Sequence, residues 1–303
     1  MRKRKIIWPR LHGKEKRFHL MLEIKCFGIV SMLLNQKGKV ISLFRKRVIS
    51  NTAEYISNLY FPNSLILPEQ IAVDNGITFN YGYYDDYFDG LIEHKAGGFH
   101  IYMNLTKLKR QDSPRSRFTF GHELGHYFLD EHRIALKAGR TPSHPSVTDF
   151  SSKNPVELEA DYFSCSLLMP ETRFRTDCNH QRMSIELIQS LSKKYHTSLV
   201  ATLLRYVNIG NHPIVVICSK DCEILWDWKS DDFEFKYLKK THNRVPLTTV
   251  TGEYYKNKKR YNHPEKIFAE DWFEYINYER NTYTLNEQCF YYDNFNMVFT
   301  IIW

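Results

Sequence analysis

The sequence predicts an α+β chain, and three observations carry that prediction. Apolar positions recur with a helical period over 40–60, 117–131 and 155–169, and again near 184–195 and 198–207. Between the first of these and the rest, short alternating runs separated by Asp- and Gly-rich turns read as strands. After Gly210 helical stripes become scarce and short, aromatic-rich, strand-like runs take over. A chain of 303 residues accommodates one large domain or two modest ones. The changes in texture divide it into a basic extension (1–35), a mixed domain (36–207) and a mainly β accessory domain (208–303).

The net charge of +8 is unevenly placed. Residues 1–50 hold 14 of the 42 Lys and Arg residues against only Glu15 and Glu23, so the remaining body is mildly acidic. A nucleic-acid enzyme with a basic cleft does not usually divide its charge this way, and direct nucleic-acid binding is not expected. The basic run Arg2 to Lys5 reads as a solvated tail, and Met21 and Met32 are alternative starts. The nearest approach to a membrane span, Cys26 to Leu34, is about half the ~18 residues a span needs. No small-residue cleavage pattern follows the basic start, so a cytoplasmic chain without a membrane is expected. Six cysteines without a C-x-x-C pair read as free, buried thiols.

In chain order, apolar residues at 41, 44, 48, 55 and 59 give the first helix. Pro68 opens a short second helix that Gly76 closes. The runs Ile77 to Tyr83, Gly90 to His94 and Phe99 to Met103 follow as a small antiparallel sheet. The helical period then returns through the two segments that carry the chemistry. Beyond 208, Ile214 to Cys218, Glu223 to Trp228 and Met297 to Trp303 are strands, with the aromatic residues expected to form their core.

The first chemical segment, Phe118 to Asp130, contains His122-Glu123-Leu-Gly-His126. Histidines four apart on a helix lie about 40° apart around its axis, so both imidazoles reach one point. Neutral imidazoles suit zinc, and the intervening Glu123 stands beside the metal as a base. An exposed polar face is the alternative, but Phe118, Phe120, Leu124, Phe128 and Leu129 make this helix largely buried. Two histidines and a glutamate in such a helix need partners.

The second segment, Asn154 to Pro170, supplies a third ligand. Asn154 caps a helix that Pro155 opens. On an ideal wheel with Glu157 at the origin, Asp161 falls at about 40° and Glu159 at about 200°. Glu157 is therefore the glutamate that points with Asp161 toward a metal. Its alternative role is the capping box with Asn154. Asp161 is a carboxylate that can orient a ligating histidine, and the spacing leaves open whether it bonds His122 or His126.

Arg117 to His126, Glu157 to Phe163 and Leu167 to Pro170, preceded by Gly90-Leu-Ile and Ile101 to Asn104, resemble the ImmA/IrrE family of zinc metallopeptidases over roughly residues 65–207. The resemblance implies a gluzincin-like (zincin) α+β unit in which His122, His126 and Glu157 bind Zn2+ and Glu123 is catalytic. It also implies a protein substrate, typically a transcriptional repressor or a toxin–antitoxin partner. Phe99 to Asn104 is expected to offer its edge to that substrate as an extended peptide. His132, His144 and Tyr162 are candidates for holding the oxyanion, with none assigned. Many family members carry a helix-turn-helix, and residues 1–65 show no such pattern. A non-proteolytic interaction module and a general oligopeptidase or aminopeptidase are the competing functions. Intact Glu123 favours the enzyme over the binder, and the lack of an amine-capturing group argues against the aminopeptidase.

Overall fold

A computed structural model describes residues 41–139, 154–239, 242–277 and 283–303. The basic extension 1–35, the run Cys26 to Leu34 and the candidate His144 lie outside these residues.

The first helix, α1 (Leu43–Tyr60), starts where the Ser42 hydroxyl accepts from the Arg45 amide. Pro68 occupies the first turn of α2 (Pro68–Asp74), where its missing N–H costs no bond. Three strands follow: β1 (Thr78–Gly82), β2 (Gly90–Lys95) and β3 (Gly98–Asn104). The sheet is mixed rather than antiparallel, with β3 in the centre, parallel to β1 and antiparallel to β2. The two-residue turn Ala96-Gly97, with φ of 51° and 82°, folds β3 back along β2. The chain leaving α2 through Ile77 lays β1 on the other side of β3. Phe99 to Asn104 therefore has no free edge, contrary to expectation, and the edge strands are β1 and β2.

A single turn, α3 (Leu105–Leu108), leads to α4 (Pro114–Phe128), which carries the H-E-x-x-H segment and is capped by the Ser113 hydroxyl. The expected helix through residue 131 ends early. Leu129 is extended and buried, and a separate helix α5 (Asp130–Lys137) begins beyond it. The break turns His132 back beside the site. Then come α6 (Pro155–Leu168), α7 (Glu171–Cys178), α8 (Ile185–Tyr195) and α9 (Leu199–Ile209). Helix α6 packs against both α4 and α1. One apolar cluster joins these helices to the small sheet through Ile49, Ile71, Ile92, Ile101, Phe120 and Phe163.

The C-terminal part is built on β4 (Val215–Lys220), β5 (Glu223–Lys229), β6 (Glu265–Phe268), β7 (Thr284–Tyr292) and β8 (Met297–Ile302). Their order is β5-β4-β8-β7-β6, with every pair antiparallel. Alternation decides what each face meets. Val216, Cys218, Phe299 and Ile301 pack with α8 and α9, whereas Val215, Ile217, Val298 and Ile302 face Phe233, Phe235, Trp272 and Phe273. Helices α10 (Val250–Asn257) and α11 (Ala269–Trp272) close that second face. Covered on both sides, β4 and β8 are near-continuous apolar runs. Much of the aromatic content is core, as expected. Among the described residues no helix is long and apolar enough to cross a membrane.

Candidate metal centre

The site forms where α4 and α6 cross, and a glycine sets how closely they approach. A Cβ on Gly125 would stand 3.1 Å from the Ala160 Cα and 3.2 Å from its carbonyl oxygen. His126 is the next residue along α4, so the close approach that Gly125 permits carries the histidines toward the glutamate on α6. The Ser164 hydroxyl donates to the Phe118 carbonyl at 2.7 Å and holds the crossing one turn away.

His122, His126 and Glu157 are brought together as the sequence predicted. Their ligand atoms lie within 4.8 Å of one another. The Nε2 atoms of His122 and His126 are 3.1 Å apart, Glu157 Oε2 is 3.1 Å from His122 Nε2, and Glu157 Oε1 is 3.6 Å from His126 Nε2. Four ligands placed ~2.0–2.1 Å from one ion at the corners of a tetrahedron stand about 3.3 Å from each other. Two nitrogens and a carboxylate at this spacing match that donor set, so the residues present fit a small divalent ion. Asn154 Oδ1 takes the Val156 amide at 3.1 Å, and the Glu157 carboxylate turns to the histidines.

Asp161 resolves the question left open by its spacing. Its Oδ1 lies 2.8 Å from His122 Nδ1. A neutral His122 thus carries its proton on Nδ1 and presents the Nε2 lone pair to the site. Burial alone would lower the His122 pKa, but the bonds to Asp161 and Glu157 hold it well above the ordinary histidine range. The Asp161 carboxyl is pushed up, by burial first, against the opposing pull of His122. The pocket is therefore one that favours a positive charge between its carboxylates.

His126 is engaged differently. Its Nδ1 is 3.2 Å from His132 Nδ1, and His132 Nε2 is 3.2 Å from Glu159 Oε2. Glu159 in turn pairs with Arg45 of α1, which also bonds Glu131 at 3.1 Å and 3.2 Å. Burial holds the His132 pKa down, the nearby Glu159 opposing it. Both nitrogens of His132 are thereby committed within this group. Tyr162, another oxyanion candidate, packs against two apolar clusters and lies under Lys46. The roles of Glu159 and Arg45 had no signal in the sequence, because 114 residues separate the two.

Glu123 is wholly buried on α4. Its carboxylate lies against the start of β2, where a Cβ on Gly90 would stand 2.7 Å from Glu123 Oε1 and 2.6 Å from Thr119 Cγ2. Gly90 is therefore a position where only a glycine fits beside the carboxylate in its present place.

No curated protein matches the chain. Among solved structures, a Mycobacterium tuberculosis transcriptional regulator superposes with a TM-score of 0.50 at 11% identity, covering 93% of this chain and 80% of that one. That likeness concerns the fold alone. The model of the IrrE N-terminal-like domain, Peptidase_M78, matches residues 91–206, a span that contains all the residues of the site on α4 and α6. Over residues 91–206 the chain is thus similar to the Peptidase_M78, or ImmA/IrrE, family.

Proposed function

We propose that the chain is a zinc-dependent endopeptidase of the cytoplasm that cuts one peptide bond in a regulatory protein, a repressor or a toxin–antitoxin partner. The observation that carries this reading is the His122–His126–Glu157 group at ligand spacing with Glu123 one residue from His122 on the same helix. A zincin-type packing of the small sheet on α4 and α6 belongs to the same proposal. The nature of the regulated partner rests on the family resemblance.

His122, His126 and Glu157 would hold the ion. Bound there, zinc supplies Lewis acidity, making a water acidic near neutral pH and favouring negative charge on the substrate carbonyl oxygen. The remaining steps belong to the protein. The Glu123 carboxylate takes a proton from the attacking water as the new C–O bond forms. It returns that proton to the amide nitrogen as the C–N bond breaks, leaving a carboxylic acid and an amine. Asp161 keeps the His122 proton on Nδ1 throughout.

Substrate would lie along β2, the edge strand next to α4. In its register with β3, Lys95, Glu93 and Leu91 pair inward from the two-residue turn, so the backbone groups of Ile92 and His94 point away from β3. An extended peptide adding there would run beside the Glu123 carboxylate at Gly90.

The test is the Glu123→Gln variant in cells and as purified protein. The amide is nearly isosteric but accepts no proton, so the variant is expected to bind zinc as the parent does and to lose peptide hydrolysis by ~100-fold or more. Full biological activity in that variant would sink the peptidase reading and leave a binding module.

A further inference from the structure

His122 and His126 are oriented by two different devices, and the second reaches outside the family segment. A neutral imidazole offers one donor and one acceptor. For His126 to present a lone pair at Nε2, its proton must sit on Nδ1 and be accepted there. The group 3.2 Å from that nitrogen is His132 Nδ1. It accepts only when the His132 proton is on Nε2, which lies 3.2 Å from the Glu159 carboxylate. Arg45 in turn pairs with the Glu159 carboxylate. Each link thus determines the tautomer of the one before it. His122 meets its carboxylate directly, whereas His126 meets one through an intervening ring.

Resting on the metal reading above, we propose that His132 and Glu159 are positioning residues for His126. Arg45 anchors this chain, so that α1, which precedes the matched segment 91–206, sets how tightly the centre holds its metal.

The geometry favours this role over simple packing. His132 is 6% exposed, and both of its nitrogens are aimed at polar partners rather than at apolar neighbours. The early end of α4 at Phe128 and the turn into α5 bring it there. Helix α1 packs against α6, and the Glu159 carboxylate meets both His132 of α5 and Arg45 of α1. Any shift of α1 relative to α6 displaces Glu159 and loosens the His126 ring.

The experiment measures the zinc dissociation constant by competition with a chromophoric chelator. It uses the full chain and its His132→Ala, His132→Gln, Glu159→Gln and Arg45→Met variants, with thermal unfolding of each metal-free form alongside. His132→Ala is expected to bind zinc ~10–100-fold more weakly. His132→Gln should recover part of that loss, because an amide both accepts and donates as the neutral ring does. Arg45→Met, at the partly exposed end of the chain, should keep the fold and weaken zinc several-fold. If His132→Ala does not fold, the Arg45 and Glu159 variants decide alone. Variants that bind zinc within twofold of the parent overturn this inference while leaving the metal site intact. So does a loss in His132→Ala that His132→Gln does not relieve and Arg45→Met does not share. A folded parent that takes up no zinc overturns the metal reading and this inference with it.

Discussion

Gly90 and Glu123 meet across a gap that has no room for a methyl group, since a Cβ on Gly90 would come within 2.7 Å of Glu123 Oε1. Of the two groups it would meet, the carboxylate is the one that can swing, so Gly90→Ala is expected to displace Glu123. Because a side-chain swing relieves the contact with Glu123, His122, His126 and Glu157 are expected to keep their places. The expected outcome is parent-like zinc affinity with hydrolysis reduced by about 100-fold, the cost of a misplacement on the order of 1 Å. Retained activity would mean that the base acts from elsewhere. Protons compete with the metal at the same scale. A protonated Nε2 cannot ligate, and in the metal-free site the His122 pKa stands well above its ordinary value, its bonds to Asp161 and Glu157 outweighing burial. Below that pKa the proton excludes the ion, and above it the lone pair is available. Apparent zinc affinity should therefore rise with pH and keep rising through neutrality, where an ordinary histidine would already have levelled off. Competition titrations at about pH 6, pH 7 and pH 8 would read this directly.

The crossing of α4 and α6 determines the spacing of the site, and here one residue tests an element. Gly125→Ala would gain roughly 1 kcal/mol of helix propensity. The added Cβ, however, would stand 3.1 Å from the Ala160 Cα and 3.2 Å from its carbonyl oxygen, backbone atoms that cannot swing aside. Forcing packed elements apart costs about 1–3 kcal/mol. Thermal unfolding should therefore show a net destabilisation, and zinc binding should weaken because Glu157 moves with α6. The elements also mark what was legible. His122–His126 and Glu157–Asp161 are pairs one helical turn apart, so an ideal wheel places all four side chains without knowledge of the fold. Where Asp161 directs its carboxylate depends on how two helices meet, and no spacing within either helix contains that. The sheet repeats the lesson. The β2–β3 hairpin follows from its Ala96-Gly97 turn, whereas the parallel pairing of β1 with β3 brings together residues 22 apart at Thr78 and His100. That non-local pairing buries the edge expected to receive substrate. The Arg45–Glu159 pair spans five times that distance along the chain and was invisible for the same reason.

At the scale of the whole molecule, the candidate metal centre and the C-terminal sheet occupy different stretches of the sequence but are joined by packing. The division near residue 208 remains a proposal drawn from texture. One apolar cluster runs across it, from Met169 and Phe174 through Leu203 and Leu204 to Val216, Trp226 and Phe299. A second packs Phe163 and Leu167 of α6 with Phe120 and Leu124 of α4. If these contacts make one cooperative unit, ligation at His122, His126 and Glu157 must stabilise residues far from it. The tryptophans allow the test: Trp226, Trp228, Trp272 and Trp303 all lie beyond 208, and only Trp8 precedes it. Denaturant unfolding followed by tryptophan emission therefore reports mainly on the C-terminal part, while far-ultraviolet circular dichroism is weighted to the helices around the site. Zinc at about a thousandfold over its dissociation constant adds about 4 kcal/mol to whatever unit binds it. A single unit predicts that zinc moves both transitions to higher denaturant by the same amount, and that a chelator moves both back. Separate units predict a helical transition that follows the metal and a tryptophan transition that ignores it. In that case residues 208–303 fold by themselves, and the cluster across the boundary is an interface between two domains.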